Sequence, residues 1–468
     1  MREGFIINTN KSFISCLCAA LCAAPLLLPA ANRTWDGGGG DELASTAANW
    51  DLDNPIVAGD VIAFDNTSVK NCTWDISTSV AGMSFAATYS GSFTNMATLN
   101  CASGVANFTW NGTGYCSLTG GICNISGTFT IGGTANRLTF SKRMNYYGNL
   151  TCNGVDFNGS NPDGNYTSYI WSASTMSGFT SAQRALQHVV IKDGATLAGS
   201  GENRIYNRLT IGEGVSGMLS GSFSHQYAYI YQNNGGAKIS ASFTIYTGGT
   251  LSNVNTSGNI NLYNIIGASA ITIQGGLTAN ALQTTISQQN NTVNTGNNPC
   301  NFGSISLWGD PGYTSTLVCG SSTITVTGNV VAATRSRITA GSSTWYVGGS
   351  WTNTGAFTAN NCTIILTNNA TVNHGAKDFY NLTADPGAGK TVTLVSGAIS
   401  AVTNVLRVQS GTCRTADLIS RVPKPLIGTY RPLGGGSATI ICGASPQVDA
   451  GAILETGNVL LPTYFRFY

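Results

Sequence analysis

The sequence predicts an all-β chain of many short strands, either wound as an elongated β-solenoid with terminal caps or laid out as tandem β-sandwiches. Three observations carry that expectation. Charged residues are only 9% of 468, against about a quarter in an ordinary globular chain. Apolar residues reach 42%, enough for a core, and the chain lacks the high charge of disordered sequences. Short runs rich in Thr, Val, Ile and aromatics alternate with turn pairs such as Gly-Gly and Asn-Asn, as across 343–372. That punctuation reads as strands and leaves almost no room for helix.

Composition also excludes function classes. The net charge is +2, with no basic run and no acidic tail. Nucleic-acid binding and electrostatic attachment to a membrane therefore have no footprint. Residues 1–31 read as an export signal: Arg2 and Lys11 precede an apolar stretch over 13–31, and Leu28-Pro-Ala30 places small residues near a cleavage point. Pro25 and Pro29 interrupt any spanning helix there, and no later segment is apolar enough to cross a bilayer. Cys16 follows Phe13, which departs from the aliphatic residue a lipidation signal needs. The expected location is secreted, at the cell surface.

After the signal, residues 32–185 read as an N-terminal cap and a Cys-rich β region. The cap contains Thr34-Trp-Asp-Gly-Gly-Gly-Gly40, Ser45-Thr-Ala-Ala-Asn-Trp-Asp51 and Pro55-Ile-Val-Ala-Gly-Asp-Val-Ile-Ala-Phe-Asp65. Trp35 and Trp50 are placed to plug the open end of a stack of coils, and Asp36, Asp51 and Asp65 to cap neighbouring turns. A calcium site at these carboxylates is the sharper reading, but the glycine-and-aspartate nonapeptide of calcium-binding β-rolls is absent. Over 34–65 the three segments resemble the opening of secreted bacterial surface proteins with β-strand repeats, including autotransporter passenger-type chains. The resemblance implies a right-handed parallel β-helix or related β-solenoid. The chain lacks the large C-terminal barrel of a complete autotransporter.

Runs at 71–74, 106–110, 127–131 and 137–140 are predicted strands, and 181–187 is the one stretch of helical composition. Residues 186–414 read as the solenoid region, with strands at 189–192, 209–211, 243–246, 260–262, 271–273, 324–326, 362–366, 392–395 and 405–408. Their uneven spacing is that of an imperfect repeat, with Asn and Thr positioned for side-chain ladders between coils. Residues 415–468 change character and read as a C-terminal cap or small module. Ten cysteines follow the signal. They are candidates for disulfides or for small apolar fillers of a coil interior.

Few motifs carry chemistry. Asp385-Pro-Gly-Ala-Gly-Lys-Thr391 approaches a phosphate loop, but Ala384 stands where its first glycine belongs and a β run follows, so a turn is expected. His188, His225 and His374 are far apart and read as solvent-facing or capped, not as ligands. No catalytic set and no metal set is expected. Asp193, Glu202 and Glu213, with Arg204 and Arg208 among them, are the nearest acidic group for a polysaccharide-cleaving enzyme. Tyr227, Tyr229 and Tyr231 share one face if their run is a strand. With Trp345 and Trp351 they are the candidate glycan-stacking residues, core packing being the competing reading. Tyr464, Phe465, Phe467 and Tyr468 are candidates for assembly.

The expected protein is a non-enzymatic, exported structural or adhesive surface or filament-forming chain. Self-association is its main expected partnership, with a glycan or cell-envelope partner beside it and no cofactor. A carbohydrate-binding surface protein and a β-helix polysaccharide-cleaving enzyme are the alternatives.

Overall fold

The computed structural model describes residues 30–415, except 133–137, 141–142, 154–166, 180–185, 193, 201–202, 212–216, 221, 226–227, 233–236, 246–248, 263–268, 285–289 and 396–398, together with strands Thr429–Ser437, Gln447–Val448 and Ile453–Asn458. Among these residues every ladder between strands is parallel, and helix is limited to two short 3-10 turns at Ala47–Asn49 and Asp51–Asp53. Phe108 pairs with Phe129, and Phe129 with Leu150, a step of 21 residues each time. Such a step is a full coil, not a hairpin. The chain is a β-solenoid, and parallel ladders remove the sandwich alternative, whose sheets are antiparallel.

One coil shows the plan. Gly82–Phe85 lies in a first sheet, Phe93–Asn95 in a second and Leu99–Cys101 in a third, and Asn107–Trp110 then returns to the first, directly above Gly82–Phe85. From Arg204 onward single strands run round a corner and join two sheets. Arg204–Ile211, for example, pairs first with Ser222–His225 and then with Ala228–Gln232. The ladders cross the expected boundary at residue 186, since Thr167–Ile170 pairs with Leu186–Ile191.

Strand pleating sends alternate side chains inward, which the buried–intermediate–buried pattern of Phe129–Ile131 illustrates. Inward residues stack in columns. Phe64 lies flat on Phe85, with ring centroids 4.3 Å apart, and Phe85 contacts Trp110 at 4.5 Å. The second sheet alternates small and large in the column Cys72, Phe93, Cys116. The nine described cysteines are all buried, and Cys72, Cys101, Cys116, Cys123, Cys300, Cys319, Cys362 and Cys413 form no disulfide, which fits small apolar fillers of the coil interior. Outward columns are neutral, such as Ser84, Thr109, Thr130 and Thr151.

Asn braces successive coils in a way its frequency only hinted at. The Oδ1 atoms of Asn107, Asn149, Asn297, Asn329 and Asn369 accept from the backbone N–H of Thr128, Thr175, Ser321, Ser350 and Thr391, each in the next coil and each at 2.8–2.9 Å. Expected strands at 324–326 and 405–408 are present, within Thr323–Val326 and Ile399–Val408. The stretch between 273 and 324 also holds Asn291–Asn294, Cys300–Leu307 and Ser315–Val318, whose polar composition concealed them. Of the stretch with helical composition, Leu186 and Gln187 open a strand, and 181–185 lie outside the described residues.

Trp35 and Trp50 are fully buried and meet edge to face at 5.1 Å. Trp50 also contacts Phe64 and Trp74 of the coils above. Asp36, Asp51 and Asp65 accept from the backbone N–H groups of Gly38, Thr34 and Thr67. Asp60 is the anchor that sequence reading missed. It is fully buried, accepts from Arg33 Nε at 3.3 Å, and accepts from the N–H groups of Ala31 and Val57 at 2.7 and 2.8 Å.

Candidate functional site

The most distinctive surface is the outer face of the third sheet between Asn100 and Thr210. It begins as a polar ladder. Asn145 Nδ2 donates to Asn124 Oδ1 at 2.6 Å, Asn124 Nδ2 to Asn100 Oδ1 at 2.7 Å, and Asn100 Nδ2 to the Ser77 carbonyl. Parallel register makes the ladder possible, because it sets Asn100, Asn124 and Asn145 at the same position in three coils.

Aromatic and cationic side chains continue the face. Tyr146, Ile170 and Ile191 are register partners, so Tyr147, Trp171 and Lys192 follow them in three successive coils. Tyr147 and Trp171 stack at 6.0 Å with planes 13° apart, and Lys192 Nζ sits 4.7 Å from the Trp171 ring centroid. The Arg143 guanidinium lies 4.2 Å from the centroid of Tyr169. Arg143 Nε and Trp171 Nε1 both donate to Asn145 Oδ1, at 3.0 and 2.9 Å, which ties the aromatic group to the Asn ladder. Cations are held on ring faces by the ring quadrupole, each such contact contributing about 0.5–2 kcal/mol.

Beside this group lies a depression of about 320 Å³ lined by Thr167, Tyr169, His188, Val189, Val190, Arg208 and Thr210. Thr167, His188 and Arg208 occupy one register position in successive coils, and Tyr169, Val190 and Thr210 the next but one. The described lining contains no carboxylate. What it offers is a guanidinium fork, an imidazole, hydroxyl groups and a small apolar patch.

The residues singled out from sequence fall differently. Tyr229 and Tyr231 lie in the strand Ala228–Gln232, register partners of Arg208 and Thr210, so the expected strand places them one coil beyond the depression. Tyr227, the assembly candidates Tyr464, Phe465, Phe467 and Tyr468, and the acids Asp193, Glu202 and Glu213 lie outside the described residues. Trp345 and Trp351 are not glycan platforms. Both are fully buried and meet edge to face at 5.4 Å in the core, because their strands turn these positions inward. Arg143, Tyr147, Tyr169, Trp171 and Lys192 were missed: their common face is visible only once the uneven coil length is known.

Other groups are structural. Residues 385–390 form a turn between Lys377–Ala384 and Thr391–Leu394, closed by the Lys390 N–H donating to the Gly387 carbonyl and tied to the next coil by the Gly387 N–H donating to Ser410 Oγ. His374 is not solvent-facing. It is fully buried, and burial pushes its pKa down to about 3, so the imidazole is neutral. Burial likewise pushes the thiols of Cys123, Cys300, Cys362 and Cys413 up to about 12, which leaves them protonated and poor nucleophiles. Among the described residues, no three His, Cys, Asp or Glu side chains form a cluster fit for a metal ion. No family model, curated protein or solved structure matches this chain.

Proposed function

We propose that the protein is an exported structural and adhesive element, acting through its long outer faces rather than by catalysis. The observation that carries this reading is the run of parallel ladders from Asn32 to Thr415, with neutral Ser, Thr and Asn columns facing outward. Charged residues are only 9% of the chain. Surfaces of this kind carry many hydrogen-bonding groups and little charge to keep copies apart. The composition of residues 1–31 supports export.

The test has three arms on the full chain. Fractionation of expressing cells is expected to find it outside the cytoplasm. Sedimentation and electron microscopy are expected to find self-association or adherence to envelope material. Incubation with a polysaccharide panel is expected to release no sugar fragments. Reproducible fragment release, abolished by amide replacement of Asp193, Glu202 or Glu213, would overturn the reading in favour of an enzyme.

A further inference from the structure

We infer that the depression on the third sheet, between Thr167 and Thr210, is a binding subsite for one acidic sugar residue of a uronate-bearing polysaccharide. The inference rests on the adhesive function proposed above and gives it a ligand class. A volume of about 320 Å³ is at the small end of ligand pockets, suited to one sugar ring rather than to a large cofactor.

The lining matches that ligand group by group. Arg208 is exposed at the rim, and its planar fork fits a carboxylate with two parallel hydrogen bonds. Thr167, Thr210 and Tyr169 provide hydroxyls that both donate and accept, as sugar hydroxyls require. Val190 provides a small apolar patch for the C–H face of a ring. Arg143 and Lys192, held over Tyr169 and Trp171, are the next cations along the face. Basic residues number only 22 in 468, so their gathering on one face is not what composition alone produces. A polymer running along the stack meets a new coil about every 4.8 Å, so adjacent sugars meet adjacent members of the same columns.

Two other polyanion classes fit less well. A phosphate site draws on unpaired backbone N–H groups at a helix end or nest, whereas the strands lining this depression are joined in parallel ladders. Single-stranded nucleic acid needs open ring faces for base stacking, but Trp171 is stacked on Tyr147 and covered by Lys192, and Tyr169 is covered by Arg143.

The test measures binding of oligogalacturonate and oligoalginate to the full chain by calorimetry at low salt, with neutral cello-oligosaccharide and inorganic phosphate as comparisons. Uronate oligomers are expected to bind and the comparisons not to. Arg208→Gln is expected to weaken binding about tenfold or more, the scale of a lost charge-assisted hydrogen bond. Arg208→Lys, which keeps the charge without the fork, is expected to fall between. Thermal melting of both variants should match the parent, and Thr167→Val serves as a further probe if Arg208→Gln does not fold. Equal binding of neutral oligomers, or full affinity in Arg208→Gln, overturns the subsite. A chain that binds no uronate yet still adheres to envelope material overturns the subsite alone, and one that neither adheres nor self-associates overturns the adhesive function as well.

Discussion

At His374 the imidazole stacks on Phe379 with centroids 3.9 Å apart, and its Nδ1 accepts from Trp351 Nε1–H at 2.9 Å. Burial favours the neutral ring, so the folded pKa, about 3, lies below the ordinary value of 6.5. The unfolded chain therefore binds the proton first as pH falls. Stability from this site is complete above about pH 6.5 and drains as the pH falls from there towards 3. Melting curves from pH 8 to 4 are expected to show this slope added to that of the carboxylates, and His374→Gln to remove it. An unchanged slope in the variant would place the acid sensitivity elsewhere. Asp60 is the second decisive residue. Asp60→Ala leaves the Arg33 charge buried without its counterion and two N–H groups without acceptors. The expected cost is about 3–5 kcal/mol. It should appear in hydrogen exchange as fast opening of Asn32–Thr34 and Val61–Phe64 while distant coils stay protected.

A coil is held to its neighbour by backbone ladders, by stacked inward side chains and by the Asn brace. Removing one brace measures its share. Asn329→Ala strips the acceptor from the Ser350 N–H, at an expected cost of about 0.5–1.5 kcal/mol in a denaturation experiment. Close packing of coils also fixes some glycines. At Gly178, with φ of +79°, an added Cβ would lie 1.8 Å from the Cys152 carbonyl oxygen in the coil below. Gly178→Ala is expected to destabilise the chain more than the Asn329 change does, since backbone must move. A melting temperature within a degree or so of the parent would contradict that ranking.

Across the whole molecule, each coil adds about 4.8 Å along the stack. Small-angle scattering is expected to give a rod-like profile, and circular dichroism strong β signal with little helix. A compact spherical profile would be incompatible with the ladders seen here. Self-association is the further expectation, and deleting residues 463–468 should reduce it while leaving the dichroism unchanged. Equal assembly by the shortened chain would assign association to the lateral Ser, Thr and Asn faces instead.

Much of this was legible in the sequence, for reasons that particular residues show. Phe129-Thr-Ile131 alternates apolar and polar, and that period reports a strand with one buried face whatever its neighbours are. Trp35 and Trp50 stood out because large apolar rings among glycines have few roles other than packing, and both are buried against each other. The candidate site was not legible. Tyr147, Trp171 and Lys192 are separated by 24 and 21 residues, and only the register of three coils shows that they share a column. Sequence marks Trp345 as a stacking candidate and passes over Trp171, yet Trp345 is buried in the core and Trp171 is held at the surface between Tyr147 and Lys192. Alternation tells that a strand has two faces. Which face a given ring occupies depends on the corner that precedes it, and corner geometry is set by contacts between coils rather than by residues adjacent in the chain.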